Sequence, residues 1–155
     1  MQEILNSLKL SKQAFAKADH LVYMTYPAVK EVKLLYTAVE ALDTALLHSL
    51  DSLLRYERLY KRISNLPKDL NSKLLIYQEY CVHKYEFDPN ISLLIREIGK
   101  IVKARKNAPI EFVRKNKFVI CSDDYRMKVI DEKTIKKYLS LTRPFIGKVE
   151  AHINA

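Results

Sequence analysis

The side chains with the clearest capacity for chemistry in this chain are cations that crowd into one segment, residues 96–117. Its basic residues are Arg96, Lys100, Lys103, Arg105, Lys106, Arg114, Lys115 and Lys117. Only two acidic residues, Glu97 and Glu111, lie among them. Lysine and arginine at such density suit phosphate groups, because both carry full charge and arginine binds phosphate as a fork. The sequence therefore predicts nucleic-acid contacts from Arg105, Lys106, Arg114, Lys115 and Lys117.

The charge of the whole chain points to the same class of ligand. The formal net charge is +9 at pH 7. Residues 1–88 hold 12 basic and 11 acidic residues, whereas residues 89–155 hold 15 and 7. This asymmetry favours an acidic partner for the second half, and RNA or DNA is the commonest such partner. The alternative is a solvated basic surface that only keeps the protein soluble.

Three aromatic residues lie close to this basic segment: Phe112, Phe118 and Tyr125. We predict that Phe112 and Phe118 belong to the core, which leaves no aromatic platform for bases beyond Tyr125. Binding would then depend on phosphate contacts, so it is predicted to be weak and indifferent to sequence. Pro109 is predicted to turn the chain and to bring the two ends of the basic segment together.

The same search finds no catalytic signature. The sequence has no serine-hydrolase, P-loop, HExxH or dinucleotide-binding motif. The four histidines, at positions 20, 48, 83 and 152, stand apart in the sequence. Glu40, Asp43 and Asp51 come nearest to a metal-binding set, but no Glu-x-x-His pair accompanies them. The sequence therefore favours a non-catalytic protein with no metal and no cofactor.

The element that must carry these residues is a long helix, predicted over residues 27–64. Its seam advances in steps of three and four residues and consists of Val32, Leu35, Val39, Leu42, Leu46, Ser49, Leu53, Tyr56, Tyr60 and Ile63. Only Ser49 is neither apolar nor aromatic. Such a sustained repeat is typical of a helix buried against other helices.

Four further helices are predicted around the long one, over residues 2–24, 67–85, 89–106 and 131–154. The first helix is predicted to end before Pro27, because the proline pushes the preceding residue, Tyr26, out of the helical region. Asp131 is predicted to cap the last helix, and Pro144 predicts a kink or a short break within it.

A β-hairpin is predicted at 118–130, with a turn at 122–125, because β-prone residues flank the segment SDDY. The predicted fold class is all-α. It is an antiparallel bundle of about five helices around one long helix (27–64), with a small β-hairpin near 118–130. The whole chain, residues 1–155, is predicted to be a single domain.

The long antiparallel helices, with the segment YPAVKEVKLLYTAVEALDTALLHSL, and the basic stretch after the fourth helix resemble HEPN domains. These small all-helical bundles commonly dimerise, and many act as metal-independent ribonucleases or as partners of nucleotidyltransferases. The resemblance covers residues 1–106 and the last helix. The family motif, an Arg followed four to six residues later by a His, is absent, since eight residues separate Arg143 from His152. The resemblance thus implies the architecture but not the ribonuclease activity.

The length of the predicted long helix also favours self-assembly. At 1.5 Å per residue it would span about 57 Å, more than a compact domain of this size needs. Part of its seam is therefore predicted to meet a second copy in a homodimer. A homo-oligomeric protein-interaction module with no nucleic-acid ligand is the alternative function.

The remaining expectations concern location. No run of 18 apolar residues and no signal-peptide block occurs, so we expect a cytoplasmic protein without a membrane partner. Cys81 and Cys121 have no metal-binding spacing and are expected to be small core residues.

Overall fold

The computed structural model of the protein describes residues 1–108, 110–121 and 126–155, with Ile110 described by its backbone alone. Helices make up 75% of the described residues. The helices of the described residues are α1 (residues 2–29), α2 (Lys33–Leu59), α3 (residues 70–85), α4 (Asn90–Asn107) and α5 (Glu132–Asn154). The strands are β1 (Ile110–Arg114), β2 (Lys117–Cys121) and β3 (Met127–Ile130). The predicted all-α class with a small β element is confirmed.

Helix α1 does not end before Pro27, so that prediction is wrong. It consists of an α-helix (Gln2–His20), a π-helical turn (Leu21–Thr25) and a last α-helical turn (Tyr26–Val29). Proline lacks an N–H and its ring crowds the preceding turn, and here the wider π-helical turn lies on that side. The helix ends instead at Lys30, which has a left-handed φ of 58°.

Helix α2 is shorter than predicted, because it runs from Lys33 to Leu59 rather than over residues 27–64. Its 27 residues extend about 40 Å. The predicted seam is buried within a single chain as far as Tyr56, whereas Tyr60 lies beyond the helix and is exposed. Since one chain covers the seam, the homodimer gains no support from it and stays a prediction.

The polar position in the seam, Ser49, finds its partner on α1. The hydroxyls of Ser11 and Ser49 are hydrogen-bonded to each other, and Ser11 donates to the Ala45 carbonyl oxygen at 2.8 Å. Ser52 donates to the carbonyl oxygen of Ile4 at 2.9 Å. These small side chains let α1 and α2 pack closely while each buried hydroxyl keeps a hydrogen-bond partner.

Aspartate caps begin two of the other helices. The Asp69 carboxylate accepts the N–H of Ser72 at 2.9 Å and starts α3. The Asp131 carboxylate accepts the N–H of Thr134 at 2.9 Å, which confirms the predicted cap of α5. Helix α5 then runs through Pro144 to its end, and all its residues are described, so the predicted short break does not occur. Its buried residues on both sides of the proline hold one continuous helix against α2.

The predicted hairpin is confirmed and belongs to a larger sheet. Strands β2 and β3 pair antiparallel, with Phe118 opposite Ile130 and Cys121 opposite Met127. Strand β1, which the sequence did not predict, pairs antiparallel with the other side of β2. The predicted turn at 122–125 lies outside the described residues. Buried Phe118 and Ile130 pack the inner face of the sheet on the helices.

Candidate nucleic-acid interface

The β1–β2 turn holds three cations within four residues. Arg114 pairs with Lys117, so only Lys115 and Asn116 lie between the two strands. Both turn residues have left-handed backbone, with φ values of 48° and 64°. Two consecutive positive φ values are typical of a type I′ turn, which favours Asn and Gly. Lys115 therefore occupies a position that its own backbone preference disfavours.

This turn forms one wall of a cavity of about 500 Å³, which also borders the end of α1 and the start of α5. We call it the turn cavity. The lysines that line it are Lys30, Lys115, Lys117, Lys133 and Lys136. The acidic residues in its lining are Asp131 and Glu132. Basic residues from three separate parts of the chain thus meet around one concave surface.

Both acidic residues of the turn cavity already have partners. The hydrogen bond from Thr134 lowers the pKa of Asp131, because it stabilises the carboxylate. Glu132 forms a salt bridge of 2.7 Å with Lys136. The other four lysines of the cavity form no salt bridge with a described residue. The cavity therefore carries an excess of positive charge.

A second cavity, of about 270 Å³, lies on the outer face of the sheet and shares Lys115 and Lys117 with the turn cavity. Its apolar floor consists of Phe112, Val119, Met127 and Val129. Arg114 joins the two lysines at its basic side. Phe112 is 38% exposed, so its predicted core position is wrong, whereas Phe118 is buried as predicted.

Arg105, at the end of α4, is engaged by other parts of the protein. Its Nε donates to Oε2 of Glu111 at 2.9 Å, and its guanidinium carbon lies 4.3 Å from the centre of the Tyr36 ring. The hydrogen bond from Arg105 lowers the pKa of Glu111. The Tyr36 ring lies 5.7 Å from that of Phe118. Arg105 therefore connects the helices to the sheet: it is paired with Glu111 of β1, and it stacks on Tyr36, whose ring contacts Phe118 of β2.

Lys106 lies on α4 together with four other cations of the basic segment, Arg96, Lys100, Lys103 and Arg105. Lys106 is exposed, and its charge acts on Asp43 of α2, a carboxylate whose pKa is raised by burial. Lys100 and Lys103 are also exposed. None of these lysines lines the turn cavity or the outer-face cavity. The basic segment is thus divided between α4 and the sheet.

The structure brings together three of the five predicted site residues, Arg114, Lys115 and Lys117. Arg105 and Lys106 line neither cavity, and Pro109, which was predicted to bring the two groups together, lies outside the described residues. Lys30 and Lys133 join the site from α1 and α5. No local spacing could single out these two lysines, because only the fold brings them to the turn.

A second polar cluster, which the sequence did not predict, surrounds Glu57 near the C-terminal end of α2. Glu57 is fully buried. Its Oε1 lies 2.6 Å from Nε2 of His152 and accepts from Nη1 of Arg62 at 3.3 Å. Its Oε2 accepts from the Tyr85 hydroxyl at 2.9 Å. We call these four residues the Glu57 cluster, and it shows that His152 does not stand alone in space.

Aromatic rings enclose the Glu57 cluster. The ring centres of Tyr85 and Tyr56 lie 4.4 and 5.5 Å from that of His152. Burial raises the pKa of Tyr85, and it raises the pKa of the nearby Cys81 thiol to about 12. Within the described part of the chain, no group of three or more His, Cys, Asp or Glu residues could hold a metal. Since both Glu57 oxygens have partners, the cluster is suited to joining α2, α3 and α5.

Comparisons of the chain with protein-family models, with curated proteins and with solved structures find no match. The resemblance to HEPN domains therefore stays a hypothesis about architecture.

In the described ranges, no helix has both the length and the apolar character that crossing a membrane requires. Cys81 and Cys121 are both free. Cys81 is buried as predicted, whereas Cys121 is only half-buried, so its predicted core position is wrong. Function must accordingly be argued from the geometry of the two cavities.

Proposed function

We propose that the protein binds nucleic acid weakly and without sequence preference through a basic surface around the β1–β2 turn. This turn surface consists of Lys30, Arg114, Lys115, Lys117 and Lys133. The proposal is carried by one observation: five lysines from three parts of the chain line a cavity with only two acidic residues, both of which already have partners. An excess of cations on a concave surface raises the local positive potential and attracts phosphate.

The number of cations sets the expected salt dependence. Five phosphate contacts correspond to a slope of log affinity against log salt of roughly −3.5 for single strands and −4.5 for duplex. Because these contacts go to phosphate, the affinity should differ little between sequences. In this proposal Lys106 on α4 is not among the five contacts, and Arg105 positions β1 rather than touching the ligand.

The proposal is tested by reversing charge at the turn with the double variant Arg114→Glu/Lys115→Glu. Affinity for labelled RNA and DNA strands is measured by fluorescence anisotropy over a series of salt concentrations. Loss of two contacts should make the single-strand slope shallower by about 1.4 and weaken binding at low salt. The matched control, Lys100→Glu/Lys103→Glu, makes the same charge change on α4 outside both cavities and should keep the wild-type slope.

Two results would overturn the proposal: no binding by the wild type at low salt, or equal binding by the wild type and the turn variant. A homo-oligomeric interaction module would then take its place. Sedimentation then tests that module, which requires a species larger than the 18.1 kDa chain. The proposal assigns no catalytic step, and it places the protein in the cytoplasm without a membrane partner.

A further inference from the structure

The outer face of the sheet carries apolar side chains, of which Phe112, Met127 and Val129 remain exposed to solvent. Residues paired across an antiparallel sheet share a face, so the register places Phe112, Val119 and Val129 in one row. Phe112 is 38% exposed and Val129 is 48% exposed, whereas Val119 between them is buried. On the inner face, Phe118 is fully buried. Both faces are therefore apolar, but only the inner one packs against the helices.

We propose that this outer face is a stacking platform for an unpaired nucleobase, which covers the Phe112 ring, and that the ligand is single-stranded RNA or DNA. The inference rests on the proposed function and names the ligand class for the same site. Stacking on an aromatic ring tolerates all bases, because every base has a π-face. A platform of this kind is therefore consistent with binding that shows no sequence preference.

The charges around the platform favour an anionic ligand. Arg114, Lys115 and Lys117 line the same cavity as Phe112, and no acidic residue is among the described residues that line it. Lys115 and Lys117 also line the turn cavity, so the two cavities adjoin. A strand whose phosphates follow the lysines can place a neighbouring base over Phe112.

The size of the platform matches a base better than it matches a protein surface. A stable protein interface covers about 800 Å² on each partner. The apolar floor here is four side chains around a cavity of about 270 Å³. A double helix cannot use the platform, because its bases are paired and stacked on each other. The fitting occupant is one or two unpaired bases of a single strand.

Two strands with the same phosphates provide the test: an oligonucleotide of mixed sequence and an abasic strand of equal length. The wild type should bind the strand with bases more tightly than the abasic strand by about fivefold or more. The chain contains no Trp, so Phe112→Trp introduces a single fluorescent reporter at the platform. Its emission should change with the strand that carries bases and not with the abasic strand or a duplex.

Conservative variants of Phe112 distinguish the contribution of its aromatic ring to binding from that of an apolar side chain of similar size. Phe112→Leu keeps an apolar side chain and should lower affinity for the base-containing strand by about fivefold or more, with abasic binding unchanged. Phe112→Tyr keeps the ring and should bind as the wild type does. Val113→Ala changes the neighbouring residue on the opposite face of β1 and should alter neither affinity.

Each remaining outcome decides against a specific part of the account. If the wild type binds both strands equally and Phe112→Leu changes neither affinity, the platform is wrong while the turn surface stands. If the wild type binds neither strand, the proposed function fails, and the platform fails with it. If Phe112→Leu instead abolishes a wild-type dimer in sedimentation and leaves base-dependent binding intact, the outer face is an interface between copies and the platform is wrong.

Discussion

Two polar regions lie toward opposite ends of helix α2. In one the charge is buried and paired, and in the other the charges are exposed and form no salt bridge with a described residue. Near the C-terminal end, the buried Glu57 carboxylate is surrounded by Arg62, Tyr85 and His152. Near the N-terminal end, Tyr36 packs against the sheet that carries the turn surface, whose five cations form no salt bridge with a described residue. Residues 36 and 57 of one helix are about 30 Å apart.

This contrast follows from solvation. A charge taken out of water must be paired and hydrogen-bonded, and removing one partner leaves the others uncompensated. Exposed cations keep their hydration and lose little by remaining without a partner until a ligand arrives. The Glu57 cluster is therefore expected to govern stability, and the turn surface to govern binding.

The largest effect is expected from Glu57→Ala. Because Arg62, Tyr85 and His152 all lose their acceptor, the free energy of unfolding should fall by about 3–5 kcal/mol, measured by urea unfolding followed by circular dichroism. The matched control, Glu40→Ala, removes an exposed carboxylate of the same helix and should change stability by less than about 0.5 kcal/mol. A loss below about 1 kcal/mol for Glu57→Ala would mean that the cluster does not fasten the helices.

A substitution of Lys115 in the turn is expected to have a smaller effect: it should increase the stability of the protein and weaken its binding of nucleic acid. Lys115→Gly relieves a left-handed lysine and should raise the free energy of unfolding by about 0.5–1 kcal/mol. It also removes one phosphate contact, so the single-strand salt slope should become shallower by about 0.7. Urea unfolding and the salt dependence of binding, measured on the same variant, check the gain in stability and the loss of binding.

Lys117→Gly is the matched control for this trade-off, because it removes the same charge from a strand position. Glycine weakens a strand, so stability should fall by about 0.5–1 kcal/mol while binding weakens as in Lys115→Gly. If Lys115→Gly and Lys117→Gly change the free energy of unfolding in the same direction, relief of the left-handed backbone at Lys115 does not explain the effect of Lys115→Gly.

The fold could be predicted wherever it depends on local pattern. The seam of α2 and the Asp131 cap follow from spacing and residue type, and both are present in the structure. Pro27 misled the prediction, because a π-helical turn, which has no clear sequence signal, precedes it. Strand β1 was missed because its five residues lie in a basic segment without a clear strand pattern.

The candidate site was predictable only where its residues are neighbours in the sequence. Arg114, Lys115 and Lys117 belong to one turn, so their density was visible. The contact between Glu57 and His152 joins residues 95 positions apart, and no short spacing reveals it. Phe112 was misplaced because an aromatic residue in a short strand fits either face until the register is known.

The most direct test of the central claim is an amide NMR titration of the labelled protein with a single-stranded oligonucleotide. The account predicts chemical-shift changes centred on residues 110–121, with Lys30 and Lys133, and none at the Glu57 cluster. Shift changes centred on the Glu57 cluster, or on α4 around Lys100 and Lys103, would contradict it.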